Sequence, residues 1–322
     1  MSRDATLADP RRGDHPLAMS DAELKALFEQ VSNWGRWGED DERGALNHVG
    51  AAEVVRAAVL VREGRTVSLS RNFPTRPGPE NPWPAQHHML IGGDDCCVPG
   101  IDGLEVSTDF IGIAFHGMAS SHIDALCHVF AQGRMYNGRP ASEVKSTGAR
   151  FNTIMAGKDG VVGRGVLLDL PRAQGFDFID AEHLTTVAEL EAAEQAQGLR
   201  VGKGDLLMIR LGRDVRRARL DDRAVAGLDP RVAAWLHARQ VAVLGGDGVH
   251  DPIPNGRIHR DWAMPLHMLG LAAMGLHLLD NLDLEPLAAA CAELGRWEFQ
   301  LVLAPLRIEG GTGSPLNPIA IF

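Results

Sequence analysis

The segment FHGMASSHIDALCHVF, residues 115 to 130, concentrates the side chains best suited to chemistry. His116, Met118, Ser120, His122, Asp124, Leu126 and His128 share one parity, so an extended chain would place them on one face. A strand packing an ordinary core would carry Val, Ile or Leu there; this one carries three imidazoles and a carboxylate. Each buried polar group left unpaired costs about 1–3 kcal/mol. A divalent cation with nitrogen and oxygen ligands would satisfy several of them in one step. A lone histidine is ordinarily a satisfied core or surface residue; the compact His-x-Asp-x-x-x-His spacing with a further His nearby sets this segment apart. A second polar pair, His267 and Asp280, brackets the apolar run HMLGLAAMGLHLLDNLDL and is hard to explain as solvated surface. His277, inside the same run, reads as structural.

Other candidates rank below these. Asp247 and His250, in GGDGVHDP, are candidates to reach the same site as metal or substrate contacts. The glycines around them form no phosphate loop, because the Lys and Ser/Thr of such a loop are missing. Trp34, Trp37 and Trp83 are candidates to line an aromatic substrate pocket, with plain packing as the alternative.

The elements that must position these groups follow from periodicity and breakers. Ser20 to Phe28 reads as a capped helix, and Ala51 to Arg62 returns to helical period. Between them, VSNWGRWGEDDERGALNHV (31–49) reads as an ordered, Trp-rich segment packing near the pocket. Thr66 to Ser70 alternates as a strand, and residues 72–103, rich in Pro and Gly, read as a long loop. Gly163 to Leu170, Asp205 to Leu211 and Val241 to Leu244 are apolar runs with the mark of buried strands. Residues 181–197 and 284–294 are helical by period, the first a solvated face rich in Glu, and residues 297–306 alternate as a strand. The pattern predicts a mixed α/β fold without regular β-α-β alternation. Residues 1–19 read as a flexible arm, and 20–322 as a single domain.

Composition narrows the partners. The chain has 322 residues, 45% of them hydrophobic, and a formal net charge of -10 without a long basic run. Nucleic acid is therefore not expected as a partner. Residues 1–16 lack the apolar stretch of a secretory signal. The most apolar segment, Met264 to Leu279, is interrupted by His267, Gly270, Gly275 and His277 and falls short of the roughly 20 residues a membrane span needs. Cys96, Cys97, Cys127 and Cys291 show no paired spacing. A soluble, cytoplasmic protein acting on a small molecule is the expectation.

These residues also carry a family resemblance. Ser121 to His128 matches the second half of a motif that runs approximately H-x-G-T-H-x-D-x-P-x-H-F in the cyclase family of metal-dependent hydrolases, which includes kynurenine formamidase and isatin hydrolase. Segments 163–169, 204–212 and 246–252, His267, Asp280-Asn281-Leu282, 304–306 and 313–315 are similar too, and NWGRWGEDDERGALN resembles a longer branch of that family. The resemblance covers most of residues 33 to 320. It implies a mixed-sheet swivelling β/β/α domain, a homodimer or larger homo-oligomer, and hydrolysis of an amide, cyclic amide or lactone by metal-activated water. By the same resemblance His122, Asp124, His267 and Asp280 are metal ligands and His128 is the acid/base. Two departures stand out: Asp280 occupies a position that is normally Glu, and Met118 replaces the motif's first histidine. Loss of that donor predicts a single Zn²⁺ or Mn²⁺ per chain; His116 could substitute, although a two-residue displacement on a strand is about 6–7 Å. A lyase or cyclase using the same metal, or a non-catalytic binding protein, are the alternatives.

Overall fold

A computed structural model describes residues 19–95, 100, 101 and 103–322. The N-terminal arm, except Met19, and the Cys96–Cys97 pair lie outside the described residues. Among the described residues, one nine-stranded sheet organises the chain. Its strands are β1 (Thr66–Ser68), β2 (His122–Asp124), β3 (Val161–Asp169), β4 (Leu206–Arg210), β5 (Val243–Gly246), β6 (His277–Asp280), β7 (Glu298–Leu303), β8 (Gly313–Pro315) and β9 (Ile319–Ile321). Their order across the sheet is β1-β9-β7-β3-β4-β5-β6-β2-β8. The four central strands, β3 to β6, run parallel. The flanking strands pair antiparallel on both sides.

The parallel strands are apolar on both faces because both faces are covered. Val166 and Leu168 of β3 and Leu207 and Ile209 of β4 join one hydrophobic cluster, with helices Asp21–Val31, Val187–Gln197 and Val232–Arg239. Leu167, Leu206 and Met208 point the other way, into a cluster that includes helix Glu285–Leu294 and Phe299, Leu301 and Leu303 of β7. Phe299 lies opposite Gly165, where a Cβ would meet its ring at 2.3 Å, so a side chain at Gly165 would have no room.

Helices do connect each pair of parallel strands, which corrects the reading of a sheet without β-α-β alternation. Arg213–Leu220 escaped detection because its sequence, RDVRRARL, has almost no apolar stripe. Arginine pairs hold it instead: Arg216 with Asp222, and Arg217 with Glu80. The 72–103 stretch is also more than loop, since Gln86–Ile91 pairs antiparallel with Thr108–Gly112 as a two-stranded ribbon. No helix among the described residues is long and apolar enough to cross a membrane.

Candidate active site

Strand β2 is short, but it fixes the centre of the site. His122 lies opposite Asp280 of β6, and Asp124 opposite Gly313 of β8. Alternation sends Ile123 into the core and leaves His122 and Asp124 on one face. The extended reading fails outside these three residues. The chain bends through 116–120, with Gly117 at φ 126°, and turns again where the His128 N–H donates to the Ala125 carbonyl. These bends, and not strand alternation, bring His116 and His128 back over Asp124. Their rings stack at 3.7 Å between centroids and 2° between planes. The 6–7 Å expected between positions on a straight strand therefore does not separate His116 from the site.

Asp124 is fully buried at the focus of four imidazoles. His116 Nδ1 lies 3.0 Å from its Oδ1, His122 Nε2 3.4 Å and His128 Nε2 3.9 Å; His267 Nε2 is 3.6 Å from Oδ2. Asp280 Oδ2 is 3.2 Å from His267 Nε2, and its Oδ1 is 3.4 Å from His250 Nε2. Despite this crowding, both Asp124 oxygens and Asp280 Oδ1 are buried without a properly formed hydrogen bond. Two sets of donors fall within 4.8 Å of one another, His116–His122–Asp124 and Asp124–His267–Asp280, and Asp124 belongs to both.

Neighbouring groups fix which histidine nitrogen faces inward. His122 Nδ1 is 2.8 Å from the Ser120 carbonyl, which only a protonated Nδ1 can satisfy, so Nε2 points at the carboxylates. His267 Nδ1 is 2.7 Å from Asp251 Oδ2, and the Asp251 carboxylate also accepts the N–H groups of Leu266 and His267. A carboxylate behind a histidine is the usual support for a metal-binding imidazole. Charge follows the same geometry. Burial alone would raise the Asp124 carboxyl, but the histidines around it hold it well below the usual carboxylate range. Burial would lower His122, yet Asp124 and Asp280 outweigh it and raise the imidazole to about 9. His267 is likewise raised against burial, by Asp280 and Asp251. His128 is pulled down by burial to about 4. Orphaned carboxylate oxygens, oriented Nε2 atoms and a field that draws positive charge together fit a divalent cation.

Comparison with known proteins gives the family and the fold. The sequence profile of a family described as "Putative cyclase" matches residues 53–250. The chain belongs to the cyclase family. A solved structure described as a novel cyclase is 32% identical, with a TM-score of 0.79 over 91% of this chain and 100% of its own. An isatin hydrolase bound to the product analogue thioisatinate shares the fold at 18% identity and a TM-score of 0.57, covering 84% of this chain and 98% of that one. Isatin hydrolase A from Ralstonia solanacearum does so at 23% and 0.52, covering 80% and 91%. No curated protein matches significantly.

Within this cyclase-family chain, His116, His122, Asp124, His128, His250, His267 and Asp280 converge, whereas Asp247 does not share the cluster. Its carboxylate accepts the N–H groups of Leu211, Gly212 and Arg213 and so anchors the start of the 213–220 helix. Trp83 lines a cavity beside His116. Trp34 and Trp37 stand apart from that lining: Trp34 donates to the Ala272 carbonyl and meets Phe28 edge-on, and Trp37 packs against His48. The 31–49 segment therefore braces the π-helical stretch Met268–Met274 instead of walling that cavity. His277 is fully buried with neither ring nitrogen bonded, and burial lowers it to about 4. Sequence reasoning missed the supports. Asp251 follows His250 directly, and its carboxylate could have been weighed as a partner. Asn281 donates to the Gly117 carbonyl and accepts from Arg213, which also donates to the Met118 carbonyl, so together they shape the 116–120 bend.

Proposed function

We propose that this chain is a metal-dependent hydrolase that cleaves an amide, cyclic amide or lactone. The observation that supports it most is the pair of donor sets sharing Asp124, with His122 and His267 each held by a second group so that Nε2 faces the carboxylates. The nitrogen and oxygen donors suit Zn²⁺ or Mn²⁺. When bound, such an ion supplies a water acidified towards neutral pH and a Lewis acid for a carbonyl oxygen. His122, Asp124, His267 and Asp280 would hold it. The expectation of one ion rested on Met118; because the bend returns His116 to Asp124, we take the stoichiometry as two.

His128 is the proton carrier in this reading. Burial keeps its imidazole neutral near pH 7, the form whose free nitrogen lone pair can take up a proton. Its side chain is 28% exposed against 0% for Asp124, so it alone of the pair meets the solvent side. The stacked His116 ring keeps it from rotating away.

Three variants and an isotope test this. His122→Ala and Asp124→Asn should purify largely metal-free. His128→Ala should keep its metal and lose about 10²–10⁴-fold in kcat on an ester, lactone and amide panel. In oxygen-18 water the label should enter product; turnover without label would replace hydrolysis by a lyase or cyclisation reaction. If His128→Ala is the variant that comes out empty, His128 is a ligand and the proton carrier must be sought at His250, or at His116 if that ring holds no ion.

A further inference from the structure

The cavity beside His116 has walls of one character and an edge of another. Its volume is about 350 Å³, and Trp83, Phe115, Met118 and Ile253 give it apolar sides. Trp83, in that lining, is 73% exposed. Two charged side chains also line it, Glu80 and Arg223. Glu80 is already neutralised, paired with Arg217 and 3.5 Å from Arg213. Arg223 is exposed and makes no hydrogen bond or ion pair with the described residues. Next to this cavity, across Pro79, Glu80, Met118 and Ala119, a second one of about 460 Å³ is lined by Arg71, Arg76, Arg213 and Arg217, with Glu80 and Asp283 as the acids. In a chain of formal net charge -10, this approach to the histidine cluster is locally cationic. Such focusing concentrates anions at a mouth.

We propose that the cavity takes a substrate with a flat apolar body and an anionic group such as a carboxylate, the body lying against Trp83 and the anion pairing with Arg223. This rests on the hydrolase reading for the word substrate, but the binding preference stands on the cavity alone. At an exposed site, a guanidinium fork on a carboxylate discriminates against a neutral isostere by about two- to fivefold. Arg223 thus acts as a specificity residue and touches no group of the histidine cluster in the structure.

Binding of 3-phenylpropionate and of its neutral counterpart 3-phenylpropionamide, measured by calorimetry, tests the proposal without turnover. Each titration is run on the metal-loaded protein and again after chelation, so that a carboxylate cannot score by ligating an ion. The acid should bind about two- to fivefold more tightly in both forms. Arg223→Gln should bring the two affinities together by weakening the acid alone, and Arg223→Glu should favour 3-phenylpropylamine. Trp83→Ala should weaken acid and amide alike. The proposal is overturned if Arg223→Gln keeps the preference, if the preference vanishes on chelation, or if neither probe binds the unmodified protein. Absence of turnover on the ester, lactone and amide panel, with the preference intact, would sink the hydrolase reading and leave this one standing.

Discussion

At the scale of single residues, the histidines around Asp124 are tuned in opposite directions, and this has a measurable consequence. His122, drawn up to about 9, and His267, also raised, hold protons at neutral pH when no cation sits beside their carboxylates. A metal ion must displace those protons to bind. Affinity should therefore rise with pH, by up to about tenfold per unit for each proton displaced, the part due to His122 levelling off above about 9. Competition against a chelator of known affinity across pH 6 to 9 measures this. A flat profile would mean that these imidazoles are not ligands. The identity of the central residues was legible because His, Asp and His in that spacing have no ordinary reason to lie in an apolar segment. The role of Asp251 was not, since nothing in sequence shows that its carboxylate folds back onto His267 Nδ1.

At the scale of elements, reading strands by apolar runs worked where both faces of the sheet are covered and failed where charge does the holding. Strand β3 was visible at once, with every position from Gly165 to Asp169 buried. Helix Arg213–Leu220 was not, because ion pairs and the Asp247 carboxylate replace an apolar stripe. The same distinction decides what Asp247 does. Asp247→Ala would orphan three buried backbone N–H groups, at about 1–3 kcal/mol each. Thermal unfolding should drop markedly while metal content stays near that of the unmodified protein. The reverse result, an empty site in a protein of unchanged stability, would restore Asp247 as a ligand. His116 teaches a complementary lesson: parity predicted its face, but the bend at Gly117, held by Asn281 and Arg213, sets its position, and those contacts come from more distant sequence.

At the scale of the whole molecule, the mixed sheet and the helix of its first crossover, within 181–197, were anticipated, whereas the polar helix Arg213–Leu220 of the second was not. The donor set reaches across that sheet. Asp124 arrives on the antiparallel strand β2, Asp280 on β6 of the parallel core and His267 on the connection between β5 and β6, yet all three meet within 4.8 Å. An ion held there would be a reversible cross-link between segments far apart in the chain, closing a loop that contains most of the central strands. Cross-links of this kind act on the unfolded ensemble by removing its freedom as well as on the native state by adding bonds. The melting temperature should thus climb with the logarithm of free Zn²⁺ or Mn²⁺ above the dissociation constant, and Asp124→Asn should abolish that climb even where it leaves the unliganded fold intact. In that sense the carboxylate shared by both donor sets is also a stitch in the folding of the chain.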